Sequence, residues 1–94
     1  MATYIMLSRL TEGGAETVKK SPGRIQEVNK ELAQMGVKVQ QQYATLGRYD
    51  FVNIVEAPDL ATVMKASVEM GARGSVRIET LAALPIEQFS SAVR

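Results

Sequence analysis

The 94-residue chain contains no cysteine and no histidine. Without cysteine it has no disulfide, thiol nucleophile, zinc–thiolate site or iron–sulfur cluster. Without histidine it lacks the most frequent general base, pH switch and transition-metal ligand. Any metal ion would depend on carboxylate, carbonyl and hydroxyl oxygens, which suit magnesium or calcium, and no spacing resembles a calcium-binding loop. The sequence therefore predicts neither a metal site nor a cofactor.

An excess of one charge is also missing, since 11 basic and 10 acidic residues give a formal net charge of +1. So small a charge creates no field that would attract nucleic acid or an anionic membrane. No apolar run approaches the roughly 18–20 residues needed to cross a bilayer, and the N-terminus has no basic region or cleavage site. We therefore predict a cytoplasmic protein of one domain, residues 1–94, that binds neither nucleic acid nor membrane.

Apolar residues recur with the periods of strands and helices. Ser21 and Pro22 are typical of a helix start, and Asp59 is expected to cap a second helix. Thr11-Glu12-Gly13-Gly14 is expected to end the first strand, and residues 15–20 are expected to form a loose turn of helix. The predicted elements are a strand Tyr4–Leu10, a helix from Ser21 to Gly36, strands Val37–Leu46 and Tyr49–Glu56, a helix from Leu60 to Gly71 or Gly74, a strand Ser75–Leu84, and a short helix or arm over 85–94.

This order of elements predicts an α+β fold of the ferredoxin-like βαββαβ type. Its four-stranded antiparallel sheet would carry two helices on one face. The other face should be polar in a monomer, yet Ile5 and Leu7 alternate with Tyr4 and Met6, so both faces are apolar. The pattern does not say which set meets the helices. The set left over would expose about four to six apolar side chains, each worth roughly 1.5–3 kcal/mol when buried. A homodimer with sheets packed face to face (a dimeric α/β barrel), or a larger ring of dimers, would cover them.

Several polar residues are candidates for a ligand site. Tyr49-Asp50, beside the Gly47-Arg48 turn, would orient a polar ligand, but hairpin turn chemistry also explains both residues. Arg77 and Glu79 lie two residues apart on one strand face, where they would grip a carboxylate and accept a proton, or form an ion pair. Polar residues at alternating strand positions would line a small-molecule pocket if they share the open face. These are Tyr4, Ser8, Gln41, Tyr43 and Asn53. The predicted ligand-binding residues are Tyr4, Tyr43, Tyr49, Asp50, Asn53, Arg77 and Glu79.

The chain resembles the GYD-domain proteins. Gly47-Arg48-Tyr49-Asp50 matches the motif that names this family. Further matches are Thr3-Tyr4-Ile5, Ser21-Pro22-x-Arg24, Val55-Glu56-Ala57-Pro58-Asp59 and Val76-Arg77-Ile78-Glu79-Thr80-Leu81, so the resemblance extends to about Phe89. Ile78 departs from the family, which usually has threonine there. The resemblance implies a dimeric α/β barrel and no particular activity. The segment from Gly47 to Thr80 is also similar, more weakly, to the effector domains of leucine-responsive regulators, which bind amino acids between subunits.

Three functions follow as hypotheses. The first is an oligomeric module that binds a small molecule or a partner at the sheet face between subunits, without catalysis. The second is a cofactor-independent oxygenase, isomerase or cyclase with Asp50 or Glu79 as base and Tyr49 or Tyr43 as acid. Lacking histidine, it would need a carboxylate with a raised pKa. The third is a purely structural assembly subunit.

Overall fold

The computed structural model describes residues 1–94. The chain forms β1 (Ala2–Leu10), α1 (Glu12–Lys20), α2 (Arg24–Gln34), β2 (Lys38–Ala44), β3 (Phe51–Ala57), α3 (Leu60–Ala72), β4 (Val76–Ala83) and α4 (Ile86–Ala92). None of the helices has the length and apolar character needed to cross a membrane.

The four strands form one antiparallel sheet in the order β2-β3-β1-β4. Helices α1, α2 and α3 pack on one face of this sheet. The predicted α+β fold, with a four-stranded antiparallel sheet and its helices on one side, is therefore confirmed. The chain passes from one strand to the next through α1–α2 and through α3, and only β2 and β3 are joined by a hairpin.

The core lies between the sheet and the helices, and it decides which strand residues face inward. Tyr4 and Met6 of β1 and Val55 of β3 are buried there against Leu32 of α2 and Val63 of α3. The alternate residues of β1 and β3 point away from the helices and are only half-buried, and these include Ile5, Leu7, Val52 and Ile54. The sequence did not show which set of strand residues faces away from the helices. In the structure it is the set that contains Ile5 and Ile54.

Strand β1 ends before Thr11 as predicted, but the loose turn predicted over 15–20 was wrong, because residues 12–20 form the regular helix α1. Thr11 caps α1, because its hydroxyl accepts a hydrogen bond from Gly14 N–H at 3.1 Å. The same hydroxyl donates to the Gly74 carbonyl at 2.6 Å, and Thr11 N–H donates to the Ser75 carbonyl at 3.0 Å. Glycine disfavours a helix through its backbone freedom, but here the missing side chain allows α1 to approach Ser75, and that contact outweighs the cost.

The predicted helix start at Ser21-Pro22 was also wrong. Ser21 ends α1, where its N–H donates to the Thr17 carbonyl at 2.8 Å. Pro22 and Gly23 form a turn, and α2 begins at Arg24 without a side-chain cap. Because the preceding segment is already helical, Ser21-Pro22 separates two helices rather than opening one. The helix end at Gly36, with its φ of 95°, is as predicted.

Asp59 caps α3 as predicted. Its carboxylate accepts from the Thr62 hydroxyl at 2.7 Å and from Thr62 N–H at 2.9 Å, and these bonds hold the pKa of Asp59 below its ordinary value. A lowered folded-state pKa stabilises the protein above the unfolded-state pKa of about 3.9, and the contribution is lost as pH falls through the folded-state pKa.

We expect Asp59→Ala to lower the melting temperature at pH 7, whereas Asp59→Asn keeps an acceptor oxygen and should lose less. Thermal unfolding followed by circular dichroism from pH 7 to pH 2 measures this. The gap between the native protein and the alanine variant should narrow below about pH 4. A gap of constant size down to pH 2 would contradict the assigned role.

Candidate functional site

The open face of the sheet has an apolar centre and a polar rim. Neighbouring strands align Gln41, Ile54, Ile5 and Leu81 in one row, and Tyr43, Val52, Leu7 and Glu79 in the next. Ile5, Leu7, Val52, Ile54 and Leu81 thus form a continuous patch, which we call the open-face patch, with polar side chains at either edge. An apolar centre with a polar rim is the composition of a protein interface.

The polar groups at one end of the open-face patch surround a shallow depression of about 150 Å³. Arg9, Arg48, Tyr49, Arg77 and Glu79 line it. The Tyr49 hydroxyl donates to Glu79 Oε1 at 3.1 Å, and the Arg48 guanidinium lies 5.7 Å from the centre of the Tyr49 ring. The ion pairs of the structure involve only side chains from α1, α2 and Arg73, so Glu79 bonds Tyr49 rather than pairing with Arg77.

Of the predicted site residues, the structure therefore brings Tyr49, Arg77 and Glu79 together at one end of the open face. Tyr43 lies on the same face but on the opposite edge strand, with 57% of its surface exposed. Tyr49 and Glu79 are one of the acid–base pairs that the enzyme hypothesis named, and they are in hydrogen-bond contact. The structure has no group of three or more acidic side chains placed to hold a metal ion.

Asp50 holds the hairpin to the end of β1. Its carboxylate accepts a hydrogen bond from Leu10 N–H at 2.8 Å, and its own N–H donates to the Ser8 carbonyl at 2.8 Å. The connection between β2 and β3 spans residues 45–50 and is longer than the predicted two-residue turn, although Gly47 has the expected positive φ, 132°. The Asp50 carboxylate is thus engaged by the backbone at the end of β1 and not by the backbone of its own turn.

Tyr4 and Asn53 lie on the helix side of the sheet, so they do not share a face with the other candidates. Tyr4 is part of the core, with 5% of its surface exposed. Asn53 is buried, and its Nδ2 donates to the Met6 carbonyl at 3.0 Å and to Ser8 Oγ at 3.3 Å. Its Oδ1 accepts from Gln42 Nε2 at 2.8 Å.

Gln42 and Asn29, both half-buried, complete this carboxamide network and were not predicted. Gln42 exchanges hydrogen bonds with Asn29 at 2.8 and 3.2 Å. A strict alternation along β2 assigns Gln41, not Gln42, to the same face as Val39 and Tyr43. An irregularity between Val39 and Gln41 shifts the register, so Gln42 pairs with Asn53 and turns toward the helices. A bulge of this kind leaves no signal in the alternation itself.

Helix α4 carries a second exposed apolar surface. None of its residues is buried, and Ile86, Phe89 and Val93 expose 68%, 50% and 65% of their surface. The spacing of these residues places them along one side of a helix. The predicted C-terminal helix or arm is therefore a helix with an unpaired apolar stripe.

Comparison with known proteins establishes the family. A sequence model described as the GYD domain matches residues 4–93. The chain belongs to the GYD-domain family. A relative of this GYD-domain chain, the "Glutamine synthetase and cystathionine beta-lyase binding protein" of Thermus thermophilus, is 56% identical over 87 residues, which are 92% of each protein.

Two crystal structures share the fold of this GYD-domain chain. TTHA0845 from Thermus thermophilus superposes with a TM-score of 0.57 at 24% identity, over 90% of this chain and 95% of that one. FFRP-DM1 gives a TM-score of 0.60 at 22% identity, over 89% of this chain and 100% of that one. At these identities the likeness concerns the fold alone.

Proposed function

We propose that this GYD-domain protein is an oligomeric partner-binding module. Two copies associate through the open-face patch, and the assembly binds an enzyme of amino-acid metabolism such as glutamine synthetase. The observation that carries this proposal is the apolar, polar-rimmed open face. The name of the Thermus thermophilus relative, which describes a protein that binds two enzymes, supports the second half.

The open-face patch suits a second copy of the chain. Its five apolar side chains lie on a single sheet surface, and each is worth roughly 1.5–3 kcal/mol when fully buried. A second copy related by a twofold axis would present the same patch, so the two apolar centres would cover each other. The rim residues Arg77, Glu79, Tyr43 and Tyr49 would then make polar contacts around the apolar centre, and any small ligand held between the sheets would meet these groups.

Helix α4 suits a different kind of partner. An amphipathic helix that projects from the body docks its apolar stripe into a groove on another protein. Ile86, Phe89 and Val93 supply such a stripe. We therefore assign self-association to the open-face patch and enzyme binding to α4.

We expect Ile54→Lys to convert an oligomer into a monomer of 10.2 kDa. The substitution places a charge at the centre of the open-face patch, where it would be desolvated on association. Light scattering coupled to size-exclusion chromatography measures the mass. Val68→Lys is the matched control, since Val68 is an apolar residue of α3 with 71% of its surface exposed, and it should leave the mass unchanged. A monomeric native protein at tens of micromolar would overturn the self-association proposal.

The proposed binding of an enzyme by α4 is tested with purified glutamine synthetase from the organism that encodes this chain. Biolayer interferometry should detect saturable binding by the native protein, and removal of residues 85–94 should abolish it while the number of chains per oligomer stays the same. Absence of binding by the native protein, with cystathionine beta-lyase as a second probe, would remove the assignment. Binding that survives the truncation would show that the enzyme binds a surface other than α4.

A further inference from the structure

A second cavity lies on the opposite side of the sheet from the open-face patch. It has a volume of about 130 Å³ and lies between the sheet and helices α1 and α2. Its walls are mainly apolar and include Leu10, Val18, Ile25, Val28, Phe51 and Ile78. An apolar cavity of roughly 150 Å³ accommodates a molecule of the size of benzene, so this cavity has room for a single small ring.

The floor of the cavity carries the hydroxyl of Ser8, which donates no hydrogen bond within the protein. Ser8 lines the cavity and has 6% of its surface exposed. Its Oγ accepts from Asn53 Nδ2 at 3.3 Å, but its hydroxyl donates to no protein atom in the structure. Asn53 and Gln42, by contrast, are engaged in the carboxamide network. A ligand oxygen above Ser8 would complete the hydrogen bonding of the floor.

The charges around the cavity favour a neutral ligand. Arg24 and Arg73 are the only charged residues in the lining. Both pair with Glu31, which Arg24 reaches at 3.1 Å, and Arg24 also lies 3.8 Å from Glu27. The hydrogen bond from Arg73 is the main cause of the lowered pKa of Glu31. Because both guanidinium groups are matched by carboxylates, no free charge is available for an anion. The lining also lacks a carboxylate for a cation.

Helix α1 forms one wall of the cavity. Gly14 is its only buried residue, and Gly14, Thr17 and Val18 line the cavity. The Thr11 hydrogen bonds fix the first turn of α1 to residues 74 and 75. The distal end has exposed lysines and meets the Pro22-Gly23 turn.

We propose that this cavity binds a small neutral molecule of mainly apolar surface, of about one six-membered ring, with an acceptor oxygen that takes a hydrogen bond from Ser8. This site is separate from the open-face patch and from the ligand site predicted between subunits. The lining of the cavity contains neither a carboxylate nor a tyrosine. We therefore propose binding in this cavity and no reaction.

The test uses the full chain and three probes of similar size. Cyclohexanone has the acceptor oxygen, methylenecyclohexane lacks it, and cyclohexanecarboxylate is an anion. Amide chemical shifts followed by NMR titration should change saturably with cyclohexanone at Ser8, Val28, Asn53 and Ile78. Methylenecyclohexane should bind about 3- to 10-fold more weakly, the ratio expected for one hydrogen bond, and the anion should bind least. A lack of saturable shifts with both neutral probes, or preference for the anion, would overturn the proposal.

Two variants locate the site. Val18→Phe fills the cavity from α1 and should weaken cyclohexanone binding at least 10-fold, while Val68→Phe makes the same change on the exposed side of α3 and should leave it unchanged. Ser8→Ala should bring cyclohexanone down to the affinity of methylenecyclohexane. Equal binding by the two phenylalanine variants would place the ligand elsewhere and refute the proposal. Ile54→Lys should retain binding, so this result is independent of the oligomer test.

Discussion

Replacing Gly14 by alanine is expected to lower the free energy of unfolding by about 3 kcal/mol, at the upper end of the cost of overpacking. A Cβ atom at this position would lie 1.9 Å from the Ser75 carbonyl oxygen and 2.8 Å from its carbonyl carbon. Both are backbone atoms of the residue directly before β4, so they cannot turn aside as a flexible side chain would. Helix α1 would have to move off the sheet and lose the Thr11 hydrogen bonds that hold its first turn. Urea unfolding followed by circular dichroism gives the change.

The neighbouring glycine is the control for this experiment. A Cβ at Gly13 would meet no atom within 4 Å, and Gly13 lies within α1. Gly13→Ala should therefore stabilise the protein by about 0.5–1 kcal/mol, the usual gain from alanine within a helix. The two substitutions are chemically identical and adjacent, so their opposite signs isolate the contact with Ser75. Equal stabilities would show that α1 does not approach β4 this closely.

Asn53→Asp is expected to destabilise the protein by about 3 kcal/mol at pH 7, through the burial of an uncompensated carboxylate. The two shapes are nearly the same, but the amide group of Asn53 donates to the Met6 carbonyl and to Ser8 Oγ. An ionised carboxylate would donate neither bond and would face the carbonyl oxygen. Burial raises the pKa of the introduced carboxyl above its unfolded-state value, so stability should fall as pH rises between these two pKa values.

Equilibrium unfolding of this variant between pH 3 and pH 8 tests the sign of the effect. The deficit relative to the native protein should be smallest at pH 3, where the protonated carboxyl donates one hydrogen bond. Gln26→Glu makes the same amide-to-acid change at an exposed position of α2 and should cost less than about 0.5 kcal/mol. A deficit that grows as pH falls would mean that Asn53 does not occupy the buried position described.

The strands, α3 and the hairpin could be predicted because local patterns and tertiary packing agree there. Asp59 is an example, because it follows Pro58 and its carboxylate bonds Thr62, only three residues further along the chain. Helix α1 could not be predicted, because the advantage of glycine at position 14 depends on Ser75, a residue distant in the chain. The sequence shows the low helix preference of Gly13-Gly14. It does not show that α1 packs against Ser75 so closely that only glycine fits at position 14.

The division of the site residues follows the same logic. Strand alternation correctly separated Tyr4 from Ile5, but both sets are apolar, so composition alone did not show which set faces the helices. The structure places Tyr4 and Asn53 inside and Tyr43, Tyr49, Arg77 and Glu79 on the open face. The bulge in β2 then brings in Gln42 where an uninterrupted strand would have placed Gln41. Register irregularities are set by pairing with a neighbouring strand, and the sequence of one strand does not encode them.

The attachment of α1 has a consequence for the order in which the chain folds. Thr11 bonds residues 74 and 75, which are 63 and 64 positions away in sequence, so the dock for α1 exists only after β4 has joined β1. A nine-residue helix is marginal by itself in water. We therefore expect α1 to be among the last elements to form, with its contacts absent from the folding transition state. Stabilising α1 would then slow unfolding while leaving the folding rate almost unchanged.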